Sequence, residues 1–298
     1  MHDRLIFYVV AAAAIGLLLP GVAGRLAVGV PYMLAGQVLG VALTLTAGQF
    51  AVVGRRPLPV LVALVAQWTA VPLAGVGLFH LTADPDLRNG VLILAVVPAE
   101  ITSALVAILA AGSGAIAIAC MAGSLTLGTV LTPLWVSTVL GPAAHVDRLA
   151  LIAELALSVA VPLLVGVGLR TSLPALSRLR SRALDLSAVC VLLVVFVSVG
   201  SARTLVLSTS LLPCLALCAA LLVIGYAVGM AVAWPWRQHA HIWRALVFPV
   251  GMREFGIAAA VALAVSPGAV GVAGIYGALL MITAPALAGR LRPSRTTR

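Results

Sequence analysis

The chain has 298 residues, of which 63% are hydrophobic and only 9% charged, against roughly 45–50% and about 25% in an ordinary soluble domain. With 18 basic and 8 acidic residues there is too little charge to coat a water-soluble globule of this size, and a mean hydropathy of +1.20 makes lipid the solvent of most side chains, which excludes a soluble enzyme. The formal charge of +10 does not mark a nucleic-acid binder, because every Lys-or-Arg position is Arg and the arginines sit singly or in short groups between apolar runs, where they set topology and meet lipid head groups.

Apolar runs of membrane length, punctuated by Arg, Pro and Gly, predict ten helices near residues 5–20, 30–50, 57–79, 90–110, 115–139, 149–169, 184–201, 207–233, 244–265 and 269–288. The first run leads through Pro20 and Gly21 straight into a second, so it does not read as a cleavable signal peptide. Ala111-Gly-Ser-Gly114 divides one over-long run and Ser266-Pro-Gly268 another. Cys120, Cys190, Cys214 and Cys218 lie inside apolar stretches without a metal-binding spacing and read as packing residues.

If loops alternate between two sides, thirteen arginines fall on the side of the N-terminus and four, Arg25, Arg88, Arg148 and Arg203, on the other. The positive-inside rule then makes both termini cytoplasmic in a cell membrane. Trp135, Trp234, Trp236 and Trp243 near predicted span ends suit interfacial anchors. Five spans per half is an odd number, so a duplicated unit must be inverted; at an offset of about 154 residues Pro20 falls on Pro174 and Glu100 on Glu254. The expected fold is therefore an all-α polytopic protein of two inverted five-helix repeats, 1–141 and 142–298.

The aspartates lie in loops, whereas Glu100, Glu154, Glu254 and Arg253 lie in predicted spans. Each such charge is costly in a bilayer and needs a partner or a wet cavity. Glu154 is close enough to Arg148 to reach the interface, so it reads as structural. Glu100, Arg253 and Glu254 lie deeper and read as pathway residues. Arg253 and Glu254 are adjacent, about 100° apart on a helix, so they cannot pair along one face, and Glu100 is the expected partner of Arg253. Pro98, Pro249 and Gly251 lie beside these charges and predict interrupted helices, whose freed backbone groups can hold an ion or a carboxylate. No Asp lies in a span and all five His lie in loops, so no constellation for catalysis is visible.

Several runs resemble the bile acid:sodium symporter family: Gly40-Val-Ala-Leu-Thr-Leu-Thr46, Arg56-Pro57, Gln67-Trp68 with Pro72, Pro98-Ala-Glu-Ile-Thr-Ser103, Leu131-Thr-Pro133, Val250-Gly-Met-Arg-Glu-Phe-Gly-Ile-Ala-Ala-Ala260 and Ile275-Tyr-Gly277. The resemblance implies a ten-helix secondary transporter with panel and core domains, in which helices four and nine are broken and cross. It also implies a small organic anion as cargo, sodium as coupling ion and no other cofactor. Of the family's cation ligands, one set falls on Ser103, Ala104, Ala117, Met121 and Pro249, and the other on Gln67, Pro249, Met252 and Arg253, so a guanidinium stands where an amide is expected. What remains is a weak sodium site at Gln67, Ser103, Val250 and Met252.

A hard cation needs oxygen ligands, so the expectation is sodium coupling weakened or lost, with Arg253 as a built-in cation. The candidate pathway comprises Gln67, Glu100, Thr102, Ser103, Pro249, Val250, Met252, Arg253 and Glu254. Alternatives left open are a sodium-independent or proton-coupled carrier or efflux protein of the same fold, and a non-transporting membrane sensor.

Overall fold

The computed structural model describes residues 2–49, 57–141 and 147–293, with side chains from Phe7 onward. The described residues are overwhelmingly helical. The helices are α1 (His2–Leu18), α2 (Pro20–Leu26), α3 (Val30–Ala42), α4 (Pro57–Trp68), α5 (Ala70–Phe79), α6 (Pro85–Val96), α7 (Ser103–Leu109) and α8 (Gly114–Leu140). They continue as α9 (Arg148–Leu155), α10 (Val161–Ser172), α11 (Arg180–Ser201), α12 (Leu211–Ala233), α13 (Ala240–Gly251), α14 (Phe255–Val265) and α15 (Val270–Leu291). The residues at the expected repeat boundary, 142–146, lie outside the described set.

Seven helical stretches are long and apolar enough to cross a membrane: Pro20–Ala42, Pro57–Phe79, Gly114–Leu140, Arg148–Ser172, Pro174–Ser201, Leu211–Trp236 and Pro267–Leu291. The chain is a multi-pass membrane protein. Large apolar side chains face outward along it, among them Val28, Leu61, Leu164 and Val223, as lipid demands and water would penalise. Three further helical sets are shorter or broken: α1, α6 with α7, and α13 with α14.

Several span boundaries differ from the expectation: the helix expected over 30–50 ends at Ala42, the one expected from 90 begins at Pro85, and two starts are shifted by about ten residues. The second span starts at Pro20 rather than near residue 30, and the seventh at Pro174 rather than 184. Each proline sits in the first turn of its helical stretch, where its missing N–H is no loss and its fixed φ favours a helix. Reading Pro20 and Pro174 only as breakers put Arg25, Arg178 and the residues around them in loops; Arg25 lies instead in the last turn of Pro20–Leu26, and Arg178 in the last turn of the tighter helical segment Pro174–Leu179.

The helices sort into two groups by their contacts. α1, α2, α3, α10 and α11 pack on one another, while α4 to α8 and α12 to α15 form the second group; α11 against α15, and α3 against α14, join them. The tightest contact within the second group is between α12 and α13. Gly225 and Gly229 are four apart on α12, and a Cβ on either would come within 2.5 Å of the carbonyl oxygen of Gly251 or Val247 on α13. Small residues at this spacing let two backbones touch without lipid between them, and the contact fixes the end of α13 where the chain unwinds.

Candidate functional site

Two helices unwind in mid-chain, and the unwound pieces pair with one another. α6 stops at Val96 because Pro98 carries no N–H and drives the preceding residue out of the helical region; Val97 is extended at φ −83°, ψ 161°. α13, which carries Pro249 in its last turn, stops at Gly251, and Met252 is extended at φ −97°, ψ 131°. Ala99 and Arg253 then form an antiparallel bridge, flanked by the Glu100 N–H donating to the Met252 carbonyl at 3.1 Å and the Glu254 N–H donating to the Pro98 carbonyl at 3.0 Å.

A break inside a membrane is tolerable only if its backbone polar groups are satisfied, and here nearly every one is. The Thr132 hydroxyl donates to the Val96 carbonyl (2.8 Å), and the Ser124 hydroxyl accepts from the Ala99 N–H (2.9 Å). A Glu254 oxygen accepts from the Ile101 N–H (2.9 Å), the Glu100 carbonyl accepts from the Ser103 N–H (3.0 Å), and the Tyr276 hydroxyl accepts from the Arg253 N–H (3.2 Å). Glu254 also caps α14 by accepting from the Gly256 N–H (3.3 Å). Gly128 on α8 leaves room for the Pro98 ring, which a Cβ there would meet at 2.9 Å.

The bridge also sorts the charges. Neighbouring residues in an extended strand point to opposite faces, so Arg253 lies on one face and Glu100 and Glu254 on the other. All three are fully buried. The Arg253 guanidinium donates from one terminal nitrogen to the Val97 carbonyl (3.1 Å) and from the other to the Gln67 carbonyl (3.0 Å). Gln67 is in the last turn of α4, where carbonyls lack an intrahelical partner. The expected Arg253–Glu100 pair does not form. The reasoning assumed helical periodicity at a place where the chain is extended, and the guanidinium is held by carbonyl oxygens instead.

The other expected pathway residues gather around the same crossing. Ser103 begins α7 and is fully buried with its hydroxyl unpartnered; the Gln67 side-chain amide is likewise buried with neither end bonded. Thr102 is half-buried, and its N–H and hydroxyl lie 3.4 and 3.3 Å from a Glu100 oxygen. Pro249 and Val250 are buried in the last turn of α13, and the Met252 carbonyl is occupied by Glu100. Of the weak sodium site, the oxygens of Gln67 and Ser103 side chains remain free while the Gln67 carbonyl is taken by the guanidinium.

Glu154 stands apart, half-buried near the end of α9 before a π-helical turn, Ala156–Ala160. His239 and His241 are exposed, the four cysteines are buried and free, and no group of three metal-binding side chains occurs among the described residues. Sequence reasoning missed Ser124, Thr132 and Tyr276, and also Gln37 of α3, which is buried with its amide nitrogen unpartnered. All four are uncharged polar residues in apolar runs, and the available signal was polarity inside a span rather than charge; Thr132 and Tyr276 were visible only within resembling motifs.

Comparisons with known proteins point the same way. An uncharacterized sodium-dependent transporter of Bacillus subtilis (strain 168), YocS, is 27% identical over 230 residues, covering 76% of this chain and 70% of that protein. The family model described as the sodium bile acid symporter family matches residues 31–210, more than half of the chain. A buried crossing of two broken helices in an apolar, multi-pass chain thus comes with a sequence match across most of its first two thirds, and the chain belongs to the sodium bile acid symporter family.

Proposed function

We propose that the protein is a secondary carrier of a small organic anion, coupled to sodium and working by alternating access, with Arg253 standing permanently in one cation position. The observation that carries this reading is the pair of unwound segments, bridged at Ala99 and Arg253, with three fully buried charged residues. Such breaks are tolerated in membranes where they line a binding site. Sodium dependence is supported by the family and by the name of the Bacillus relative.

Counting α1, α6 with α7, and α13 with α14 as spans beside the seven long ones brings the total to ten. The two broken spans lie about 154 residues apart. This supports two inverted five-helix repeats, 1–141 and 142–298, with both termini cytoplasmic. Gln67, Thr102, Ser103 and the broken backbone supply the polar groups that a solute or ion would meet.

A second reading, a sodium-independent or proton-coupled carrier of the same fold, is favoured by one observation: the guanidinium occupies carbonyl oxygens that a cation would otherwise use. Uptake of labelled monocarboxylates and bile acids into proteoliposomes, with sodium or choline gradients at equal ionic strength, decides between them. Sodium-driven accumulation supports the first reading, exchange indifferent to sodium supports the second, and no flux of any solute tested, with a crosslinked partner in cells, would replace both with a membrane sensor.

A further inference from the structure

We infer that the turn joining α10 to α11 is a docking surface for the head groups of anionic phospholipids, held by Arg178, Arg180 and Arg182. The surface stands apart from the crossing and its cargo, and only the flux arm of the test rests on the carrier reading above.

Two membrane-length stretches, Arg148–Ser172 and Pro174–Ser201, meet at Leu173, so the turn lies at a membrane surface. It opens with the tight helical segment Pro174–Leu179, none of whose residues is buried and which carries Arg178 in its last turn. Arg180 and Arg182 follow in the first turn of α11. All three arginines are exposed, and the exposed Leu173, Leu179 and Leu184 are interspersed with them. Guanidinium groups at the level of the phosphates, beside leucines that enter the acyl boundary, make the pattern of an interfacial amphipathic segment.

The arginines are not engaged by the protein itself. Elsewhere Arg203 donates to the Leu17 carbonyl, while Arg88 and Arg237 lie over the rings of Phe79 and Trp234. Arg178, Arg180 and Arg182 have no such partner among the described residues, and residues 170–185 hold four arginines against one acid, Asp185. Nor does the shape of the turn require them. At the 154-residue offset they fall on Gly24, Leu26 and Val28, in a stretch that starts with Pro20 in the same way and whose one arginine, Arg25, falls on Leu179.

Three guanidinium groups so close together fit a surface of phosphates, because the planar fork matches phosphate geometry and each Arg near an anionic leaflet strengthens binding about fivefold. A zwitterionic head group offers the phosphate but cancels its charge, so the surface selects anionic lipid. The placement gives the lipid a task. α11 packs along α1, α2 and α3 and meets α15 of the second helix group. Val194 of α11 reaches Gly256 at the crossing, about 18 Å of helix beyond Arg182. Lipid bound at the turn therefore holds the first helix group to the leaflet while the second moves against it.

The test is the thermal midpoint of the full-length protein in detergent, titrated with phosphatidylglycerol, phosphatidylcholine or inorganic phosphate. The expected result is a saturable rise with phosphatidylglycerol alone, weakened by added salt. Arg180→Gln with Arg182→Gln moves that rise to about thirtyfold higher lipid, and Arg180→Lys with Arg182→Lys keeps it. Arg290→Gln with Arg292→Gln, which removes the same charge at the end of α15, leaves it unchanged. Should the first pair fail to insert, Arg182→Gln alone, about fivefold weaker, carries the test. The titrated protein is already folded, so the setting of topology during insertion cannot produce these shifts. The absence of a rise specific to phosphatidylglycerol overturns the proposal. So does an equal loss in both glutamine pairs, which would make net charge the cause, or an equal rise with inorganic phosphate, which would make the ligand a free anion. In proteoliposomes, flux that is faster with phosphatidylglycerol only where Arg180 and Arg182 are present supports the anchoring. Flux indifferent to lipid overturns the anchoring and leaves the docking surface standing, and no flux in either lipid counts against the carrier reading alone.

Discussion

Arg253 offers the sharpest test of how the crossing is held. Replacing it by Met removes a guanidinium that donates to the Val97 and Gln67 carbonyls at 3.1 and 3.0 Å. Hydrogen bonds to a charged group contribute about 1.5–3 kcal/mol each, so the loss is roughly 3–6 kcal/mol. Against it stands relief from burying the charge, about 2.5–3.5 kcal/mol on insertion scales. The two ranges leave a net destabilisation centred on about 1.5 kcal/mol and at most about 3.5 kcal/mol, a fall in thermal midpoint of ~3–6 °C at the centre of that range. Arg253→Lys, which can reach one carbonyl but not both, falls in between. The assay is the midpoint of purified protein in choline chloride, where no coupling ion contributes. An Arg253→Met protein as stable as the wild type, or more so, would refute the account, because the guanidinium would then cost more than its carbonyl partners return.

The proposed reading, in which Arg253 stands in a cation position, predicts a change in ion dependence: Arg253→Gln supplies an amide there, so its midpoint rises more steeply with sodium concentration than that of the wild type in the same titration. Ser124→Ala orphans the buried Ala99 N–H and lowers stability by about 1–3 kcal/mol, read as a drop in midpoint, whereas Thr132→Val, which leaves the Val96 carbonyl without its hydroxyl, costs about 1 kcal/mol. Ala111 sits at φ 61° between α7 and α8, a conformation costing an L-residue about 1–2 kcal/mol; Ala111→Gly therefore raises the midpoint, by an amount reduced by glycine's greater freedom in the unfolded chain. Gly229→Ala drives a methyl into the Val247 carbonyl and lowers the midpoint, while Gly77→Ala, where nothing lies within 4 Å, raises it slightly.

Much of the fold was legible because lipid imposes a simple rule, apolar runs of fixed length, and that rule needs no tertiary information. The breaks were legible too, from Pro98, Pro249 and Gly251. What failed was the reading of proline as a boundary alone. Pro20 and Pro174 begin helical stretches, and only their position relative to the following run separates a first-turn proline from a breaker. Ser124, Thr132 and Gln37 escaped notice because their importance comes from what they face across the bundle, which one-dimensional spacing does not carry.

The misassigned partner of Arg253 has a more specific cause. With 100° between neighbours, a helix separates Arg253 from Glu254 but leaves either free to meet Glu100. With 180° between neighbours, a strand puts both glutamates on one face and the guanidinium on the other. The change of period happens at the proline-induced break itself, so the feature that marks the site also changes the geometry by which its residues must be read. It follows that moving the break would re-sort the charges. A substitution that restored a helix through residues 97–102, such as Pro98→Ala, is expected to weaken the Glu100–Met252 and Glu254–Pro98 backbone bonds and to remove the extended Val97 whose carbonyl holds Arg253. Pro98→Ala should therefore abolish transport even where the protein reaches the membrane. If Pro98→Ala kept wild-type flux, with the same sodium dependence, the bridge could not be what organises the site.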